Sequence, residues 1–439
     1  MSGGRSLSPL SGLCYSFGMG LGVYFTTALP EPSGGARESN PGAILGQIAA
    51  IAEQAAQELG APIADTFWSH QDGARLFLHF IPFEEDVEVC EEDGALVVSA
   101  KTSGAGPGYH EFVVDLLYEL QAKLGLQFQA PLGEDGDDTG FFQNRDRAVL
   151  RAAMATQLAQ LARVVLESVG QGALLNMSLD FRPEVRGFAA SPLGEWSKEW
   201  IEETAWAKGD ATLARAQEYF PWWERGISGD DLVKFGLACA WTEVHWVAPQ
   251  TEAEEKAIQT ALTCFDLAKQ RKRPVPEKEY DELRTLLTDA ADGMEIAPSP
   301  EGMGFRRRSV TINLGAGWEI QVPGYYHHTM EQNGEVFVFW FGDRTIRATT
   351  FTFEAEDSSP EALKSLVRRE SRDPELDGLP QGMVGAFVHT QDEEEGCAVT
   401  NVSLATPGNL CTLTFAYGNP EDSAWALTTA RSVRHQGEG

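Results

Sequence analysis

The spacing of apolar residues changes along this chain, and this change limits the folds that the chain can adopt. From Asp146 to about Ala291 the apolar residues recur at helical spacing, whereas from Ser309 onward they alternate with a period of two, which is typical of strands. A glycine- and proline-rich segment, Ala297–Gly304, separates the two regions. We therefore expect an α+β protein in which an all-helical domain is followed by a domain built on an antiparallel sheet.

The length of 439 residues agrees with about three domains at roughly 150 residues each. Because Asp135–Gly140 has the composition of a linker, we predict domains at residues 10–130, 141–296 and 305–439. The first domain is expected to be α+β, because strand-like and helix-like patterns alternate in it. Its expected order is βαβββα, with strands over Leu21–Ala28, Ala64–Trp68, Ala74–Phe80 and Ala95–Lys101, a helix closed by Gly60, and a helix over Phe112–Leu124.

Tryptophan is concentrated in the helical domain, whose centre is the segment Phe235–Pro249. If this segment belongs to a helix over Leu232–Trp246, then Ala238, Trp241 and His245 share one face. That face is either helix core or a partner-binding surface, since Trp and Tyr anchor protein interfaces. The chain has no HExxH motif and no third ligand at suitable spacing, so we predict no metal site.

The C-terminal domain is predicted to be an antiparallel sheet packed by helices. The expected strands cover Ser309–Leu314, Trp318–Val322, Glu335–Trp340, Arg344–Phe353, Gly385–His389, Cys397–Ala405 and Leu410–Tyr417, and the expected helices cover Pro360–Arg369 and Ser423–Val433. Gly317–Pro323 near the start, and Leu410–Tyr417 followed by a helix through Trp425, resemble the PsbP-like α/β sandwich fold. The resemblance implies binding rather than catalysis, by analogy of fold.

Acidic residues outnumber basic residues by 65 to 34, which gives a net charge of −31. Because contacts to phosphates require Lys and Arg, this charge disfavours nucleic acid as a direct ligand. It favours a basic protein as the partner. The chain has no GxSxG turn, no GxGxxG loop and no cysteine with a nearby base, so we expect no cofactor and favour binding over catalysis.

The six cysteines are spread singly, without a CxxC pair, which is typical of reduced thiols in a cytosolic protein. No apolar run reaches 18 residues, so we expect no membrane insertion. The stretch Leu13–Leu29 contains repeated glycines and has the length of a strand rather than of a signal peptide. These features predict a cytoplasmic protein.

Two further segments carry candidate site residues. The glycine-rich segment Gly104–Glu111 leads into a helix, where free N–H groups can hold an anion, although a tight turn without a ligand is the alternative. We expect Pro323–His328 to form an exposed loop. If it is a strand instead, its adjacent histidines face opposite ways and do not both bind one ion. The candidate partner-binding residues are Tyr109, His110, Trp241, His245, Trp246, Tyr325, Tyr326 and His327.

Together these features favour a non-catalytic protein-binding module, most simply an immunity protein that masks a toxin in a bacterial conflict system. The alternatives are a secretion adaptor or chaperone for an effector, and a component of an anti-phage defence system. An enzyme with a site between domains, near Tyr109, His110, His245 or His327, ranks below these.

Overall fold

The computed structural model describes residues 20–29, 41–62, 65–69, 74–82, 84–92, 94–131, 136–177, 179–289, 296–331, 334–354, 359–368, 374–392 and 396–436. Within these ranges the chain forms eleven α-helices and four sheets, which confirms the α+β fold class. Residues 10–19, which open the first predicted domain, lie outside the described residues.

The N-terminal part is a five-stranded antiparallel sheet with α1 packed against β3 and α2 packed against α1. The sheet has the order β1-β5-β4-β3-β2. The elements are β1 (Gly22–Ala28), α1 (Pro41–Leu59), β2 (Asp65–Ser69), β3 (Arg75–His79), β4 (Val87–Glu92), β5 (Ala95–Lys101) and α2 (Pro107–Leu124).

The sequence pattern missed β4, because its alternation of Val87, Glu88 and Val89 is short and two further acidic residues end the strand. The tertiary structure compensates one of these acids, since Arg75 on β3 pairs with Glu88 on β4. The helix α2 also begins five residues before the predicted start, at Pro107, where the missing N–H of proline is tolerated in the first helical turn. Gly60 has the left-handed φ of +74° that ends a helix, as predicted.

The middle part is mainly helical but is not all-helical as predicted. Its helices are α3 (Phe141–Asn144), α4 (Arg147–Val164), α5 (Lys198–Trp206), α6 (Asp210–Tyr219), α7 (Gly229–Thr242), α8 (Glu252–Gln270) and α9 (Glu277–Asp289). Its short strands are β6 (Ala173–Leu174), β7 (Arg182–Pro183), β8 (Ala189–Ser191) and β9 (Gly194–Trp196). Strands β6, β8 and β9 form a small sheet of their own.

The central helix α7 ends at Thr242, four residues before the predicted end at Trp246. After this end the chain turns back, because Trp246 has a left-handed φ of +65° and its Nε1 donates a hydrogen bond to the carbonyl of Ala240 at 3.0 Å. His245 therefore lies beyond the helix, and the predicted shared helical face with Ala238 and Trp241 is wrong. Helical periodicity in the sequence does not show that the chain reverses after the helix ends and that a following side chain packs against that helix.

The C-terminal part contains two antiparallel sheets rather than one. Its elements are β10 (Ser309–Gly315), β11 (Trp318–Pro323), β12 (His327–Glu331), β13 (Val336–Phe341), β14 (Arg344–Thr352), α10 (Pro360–Val367), β15 (Val384–Asp392), β16 (Cys397–Thr406), β17 (Asn409–Tyr417), α11 (Ser423–Arg431) and β18 (Arg434–His435). The larger sheet has the order β12-β13-β14-β17-β16-β15, and the smaller sheet has the order β18-β11-β10-β7.

The smaller sheet connects the middle and C-terminal parts, because β7 from the middle part pairs with β10, placing Pro183 opposite Val310. Among the described residues the buried apolar side chains form three clusters. The largest spans the N-terminal and middle parts, the second lies mainly in the C-terminal part and includes Phe181 and Ala190 of the middle part, and a small third one packs α10 on β15 and β16. The middle part therefore shares its core with the N-terminal part and shares a sheet with the C-terminal part.

The cysteines and one apolar helix bear on two further predictions. All five described cysteines are free, as expected for reduced thiols. One helical stretch among the described residues, Arg147–Val169, is long and apolar enough to cross a membrane by length and composition, a test that a core helix of a soluble protein also meets. The absence of membrane insertion and the cytoplasmic location stay predictions.

Candidate functional site

Three histidines and two carboxylates meet where the middle part contacts the C-terminal part. We call this group the junction cluster; its members are Asp180, His245, Glu254, His327 and His328. They come from the loop before β7, the segment after α7, the first turn of α8 and the start of β12. Only the segment after α7 and the first turn of α8 are close to each other in sequence. The cluster therefore depends on contacts between distant parts of the chain.

Glu254 is held by the N-terminus of α8. The side chain of Thr251 accepts a hydrogen bond from the backbone N–H of Glu254, and Oε2 of Glu254 accepts hydrogen bonds from the backbone N–H groups of Gln250 at 2.8 Å and Thr251 at 3.3 Å. This capping box uses one carboxylate oxygen and leaves the other, Oε1, to face the histidines.

The segment Pro323–His328 is not the exposed loop that we predicted, because His327 begins strand β12 and is completely buried. As predicted for a strand, the two adjacent histidine side chains point to opposite faces, and each contacts a different carboxylate. Nδ1 of His327 lies 2.9 Å from Oε1 of Glu254, and Nε2 of His328 lies 3.1 Å from Oδ2 of Asp180. The ring of His245 is nearly parallel to both rings, and its centroid lies 5.8 Å from that of His327 and 6.4 Å from that of His328.

Burial and nearby charges shift the pKa values of three side chains in the cluster. Burial, followed by the positive charges of Arg306, His328 and His327, lowers the pKa of His245 well below its ordinary value. Burial alone would raise the pKa of Asp180, but the hydrogen bond from His328 and the charge of Arg306 outweigh it and lower this pKa to about 2. In Glu254 burial is likewise outweighed by His327, so its pKa is lowered. The ring of His245 is therefore neutral and both carboxylates are charged near neutral pH.

One atom each from His245, Glu254 and His327 can face a shared ion, because these ligand atoms all lie within 4.8 Å of one another. Nδ1 of His245 lies 3.7 Å from Oε1 of Glu254. Two buried ring nitrogens, Nδ1 of His245 and Nε2 of His327, have no hydrogen-bond partner. The sequence indicated the two histidines as candidates but gave no reason to select Glu254, which lies 73 positions before His327.

Three consecutive arginines, Arg306, Arg307 and Arg308, join the same two parts of the chain and are all buried. They pair with three carboxylates of the middle part, namely Asp180 at 3.4 Å, Glu282 at 2.8 Å and Glu195 at 2.9 Å respectively. We did not single out this run from the sequence. The sequence nevertheless contained an indication of it, since three arginines directly after a linker are unusual in a chain of net charge −31.

The glycine-rich segment Gly104–Glu111 serves close packing rather than offering free N–H groups. The N–H groups of Gly106 and Gly108 donate to the carbonyls of Thr102 and Trp222, each at 3.1 Å. A side chain at Gly108 would come within 2.3 Å of the carbonyl oxygen of Glu224. The glycines therefore let α2 approach the middle part closely.

The two candidates on this segment, Tyr109 and His110, are buried in the chain. The ring of His110 contacts Thr102 through Nδ1 at 2.8 Å and Asp137 through Nε2 at 3.2 Å. Asp137 also accepts hydrogen bonds from the backbone and hydroxyl of Thr139, both at 2.8 Å. This closed network fixes the segment around residues 136–140, and it lies apart from the junction cluster.

The remaining candidates are distributed around the junction. Trp246 is buried beneath the guanidinium of Arg307 at 3.8 Å, and half-buried Trp241 packs on Phe305 with ring centroids 4.8 Å apart. Tyr326 is buried and Tyr325 is half-buried, and both pack on one aromatic ring of β13. Of the eight predicted partner-binding residues, none is fully exposed. Their role as a partner-binding surface stays a prediction that requires the chain to rearrange.

One tryptophan that we did not select is exposed. Trp206, the last residue of α5, is 60% exposed, the highest value for an aromatic side chain among the described residues. Glu199, Glu202 and Glu203 are exposed and lie seven, four and three residues before it, so all four side chains share one helix face. We call this the α5 face.

The comparisons with known proteins give no family. No protein-family model matches the chain, and no curated protein matches it. A crystal structure of a protein from Bacteroides thetaiotaomicron VPI-5482 is similar over 28% of this chain and 47% of that chain, with 13% identity and a TM-score of 0.23. The match therefore spans less than half of that protein. A similarity of this size carries no argument about function, and the PsbP-like resemblance stays a prediction.

Proposed function

We propose that this protein is a non-catalytic binding protein whose basic protein partner docks on the α5 face. The observation that carries the proposal is the exposure of Trp206 among three glutamates. Leaving 60% of an indole in water forgoes roughly 3 kcal/mol of burial free energy, taking about 25 cal/mol per Å² and a side chain of 150–250 Å². An interface would recover that free energy.

The neighbours of Trp206 define the partner's chemistry. The guanidinium of Arg163 lies 5.2 Å from the indole ring and holds one side of it, while the Nε of Arg163 donates to the carbonyl of Ala205 at 2.8 Å. The other neighbours on the face are Glu199, Glu202 and Glu203. Glu202 pairs with Lys198 at 3.5 Å and Glu203 pairs with Arg215, so a basic partner would compete with these surface pairs. The complementary surface is an apolar pocket for the indole with Lys or Arg beside it, and the net charge of −31 attracts such a partner over longer distances.

The simplest biological form of this function is an immunity protein that masks a basic toxin. A secretion adaptor is the alternative, and it predicts that an apolar segment of an effector binds instead of a folded toxin domain. The identity of the bound protein distinguishes the two forms.

The test compares matched variants as baits for proteins of the native host. Trp206→Ala removes the anchor, and Phe351→Ala is its control, because Phe351 is 49% exposed on β14 of the larger sheet. Glu202→Lys reverses a charge on the α5 face, and Glu58→Lys makes the same change on the exposed surface of α1. The captured protein is then purified, and its Kd is measured for each variant at low and moderate salt.

We expect a basic protein whose Kd rises about 30-fold with Trp206→Ala, corresponding to a hot-spot contribution of about 2 kcal/mol. Glu202→Lys should weaken binding more at low salt than at moderate salt, because exposed charges are screened. Capture of no protein, or of a protein that all four variants bind with the wild-type Kd, would contradict the proposal.

A further inference from the structure

We propose that His245, Glu254 and His327 bind a divalent transition metal ion of the zinc class. This site is separate from the α5 face, and the proposal does not depend on partner binding. Two imidazoles and one carboxylate are a ligand set that suits zinc and leaves a fourth position for water.

The distances between the ligand atoms fit a small ion. Ligands at about 2.0–2.2 Å from a tetrahedral zinc are separated from one another by about 3.4 Å. Oε1 of Glu254 lies 2.9 Å from Nδ1 of His327 and 3.7 Å from Nδ1 of His245, values on either side of that separation. Binding thus requires small movements of side chains already in place, together with loss of the proton between His327 and Glu254.

One unpartnered atom points to a ligand independently of these distances. Nδ1 of His245 is buried without a hydrogen-bond partner. A buried polar atom without a partner costs free energy, and most such atoms in folded proteins are satisfied. A metal ion bound through Nδ1 of His245 satisfies this atom and uses its lone pair.

Contacts outside the three ligands hold them in position. The capping box of α8 fixes Oε2 of Glu254. Trp340 covers the ring of His327 with centroids 5.6 Å apart. Such supporting contacts orient metal ligands and exclude water from the site.

The local charge permits a cation even though Arg306 is near. Arg306 pairs with Asp180 at 3.4 Å, so this arginine and this carboxylate offset each other. Glu254 remains as the charge that faces the ion. Because the three ligands come from the segment after α7, from α8 and from β12, a bound ion would tie the middle part to the C-terminal part.

The test uses the full-length protein after dialysis against a chelator, with Co²⁺ and then Zn²⁺ as the only added ligands. Co²⁺ reports its coordination through visible absorption, and Zn²⁺ should displace it. The variants are Glu254→Gln, which keeps an oxygen for the capping box, and His327→Gln. His79→Gln is the control, because His79 also pairs with a carboxylate, Asp86 at 2.8 Å, in the N-terminal sheet.

We expect one bound ion per chain and a rise in the unfolding midpoint on addition of Zn²⁺. Each ligand variant should lose more than the roughly 10–100-fold in affinity that changes in supporting residues cost, and its unfolding midpoint should no longer respond to Zn²⁺. His79→Gln should behave as wild type. Failure of the wild-type protein to bind either ion overturns the proposal whether or not the variants fold, and so does wild-type affinity in folded Glu254→Gln.

Discussion

Nδ1 of His327 lies 2.9 Å from Oε1 of Glu254, although the two residues are 73 positions apart. The same carboxylate closes the capping box of α8 through its other oxygen. Glu254 therefore stabilises the start of a helix in the middle part and contacts the edge strand of the larger sheet in the C-terminal part. This double use makes the junction cluster sensitive to the relative position of the two parts.

Glu84 should make the stability of the protein decrease as the pH rises through neutrality. Burial, only partly offset by the charge of Lys101, raises the pKa of Glu84 to about 8 from 4.5. Between these values the folded protein keeps a proton that the unfolded chain releases, so the free energy of unfolding falls as the pH rises, by at most about 1.4 kcal/mol per pH unit.

The variant Glu84→Gln keeps the size of the side chain, removes its ionisable group and should remove this decrease. Urea unfolding at about pH 5 and about pH 8 measures it. The variant Glu58→Gln, at an exposed residue of α1, is the control. An equal pH dependence in Glu84→Gln and wild type would show that Glu84 does not carry the effect.

Breaking the pair between Arg308 and Glu195 should destabilise the protein far more than breaking a surface pair. Glu195→Gln leaves the buried guanidinium of Arg308 without its counter-charge, and we expect a loss of about 3 kcal/mol. Glu218→Gln removes a partner of Arg215 on the exposed surface of α6 and should cost less than about 1 kcal/mol. Denaturant unfolding of both variants tests the contrast, and equal losses would contradict it.

Two glycines in helices should respond oppositely to alanine. Gly108→Ala places a methyl group 2.3 Å from the carbonyl oxygen of Glu224 and 2.4 Å from the ring of Trp222, so we expect a loss of about 1–3 kcal/mol or more. Gly46→Ala in α1 meets no atom within 4 Å and should stabilise the protein by up to about 1 kcal/mol. Thermal unfolding of the two variants should therefore shift in opposite directions, and a rise in Tm for Gly108→Ala would refute the packing argument.

Replacing a buried tryptophan should reduce the free energy of unfolding far more than replacing an exposed one. Trp222→Ala empties a site that is completely buried and should cost about 3–5 kcal/mol. Trp206→Ala removes a mostly exposed side chain and should change the free energy of unfolding by less than about 1 kcal/mol. The second result is also needed for the binding test, because a loss of partner binding by Trp206→Ala is informative only if the variant remains folded. A large loss of stability in Trp206→Ala would mean that Trp206 is part of the core.

The elements with a clear period were predictable from the sequence. The expected helix over Ser423–Val433 is α11, and the alternation in Leu410–Tyr417 gave β17. Elements defined by pairing were not predictable. Strand β12 has little apolar alternation and exists because β13 pairs with it, placing His327 opposite Trp340. Strand β7 is two residues long and is defined by its pairing with β10.

In the candidate site, too, some residues were predictable from the sequence and others were not. His245 and His327 stood out in the sequence because few side chains of their chemistry are present, whereas Glu254 is one of 65 acidic residues and nothing local distinguishes it. The exposed tryptophan was not predictable either. Trp196 and Trp200 stack on each other with centroids 4.0 Å apart, while Trp206 lies outside that stack, and helical spacing alone does not reveal which neighbours are available.

The sequence by itself determined the α+β class, most helices and strands, and the acidic charge of the surface, because these depend on composition and on spacing between near neighbours. Only the tertiary structure decided that the predicted helical domain contributes a strand to the C-terminal sheet, that the arginines 306–308 are buried in ion pairs, and that Glu254 meets two histidines. Each of these depends on contacts between distant segments. Periodicity reports which way a side chain points from its own helix or strand, but it does not report what that side chain meets there.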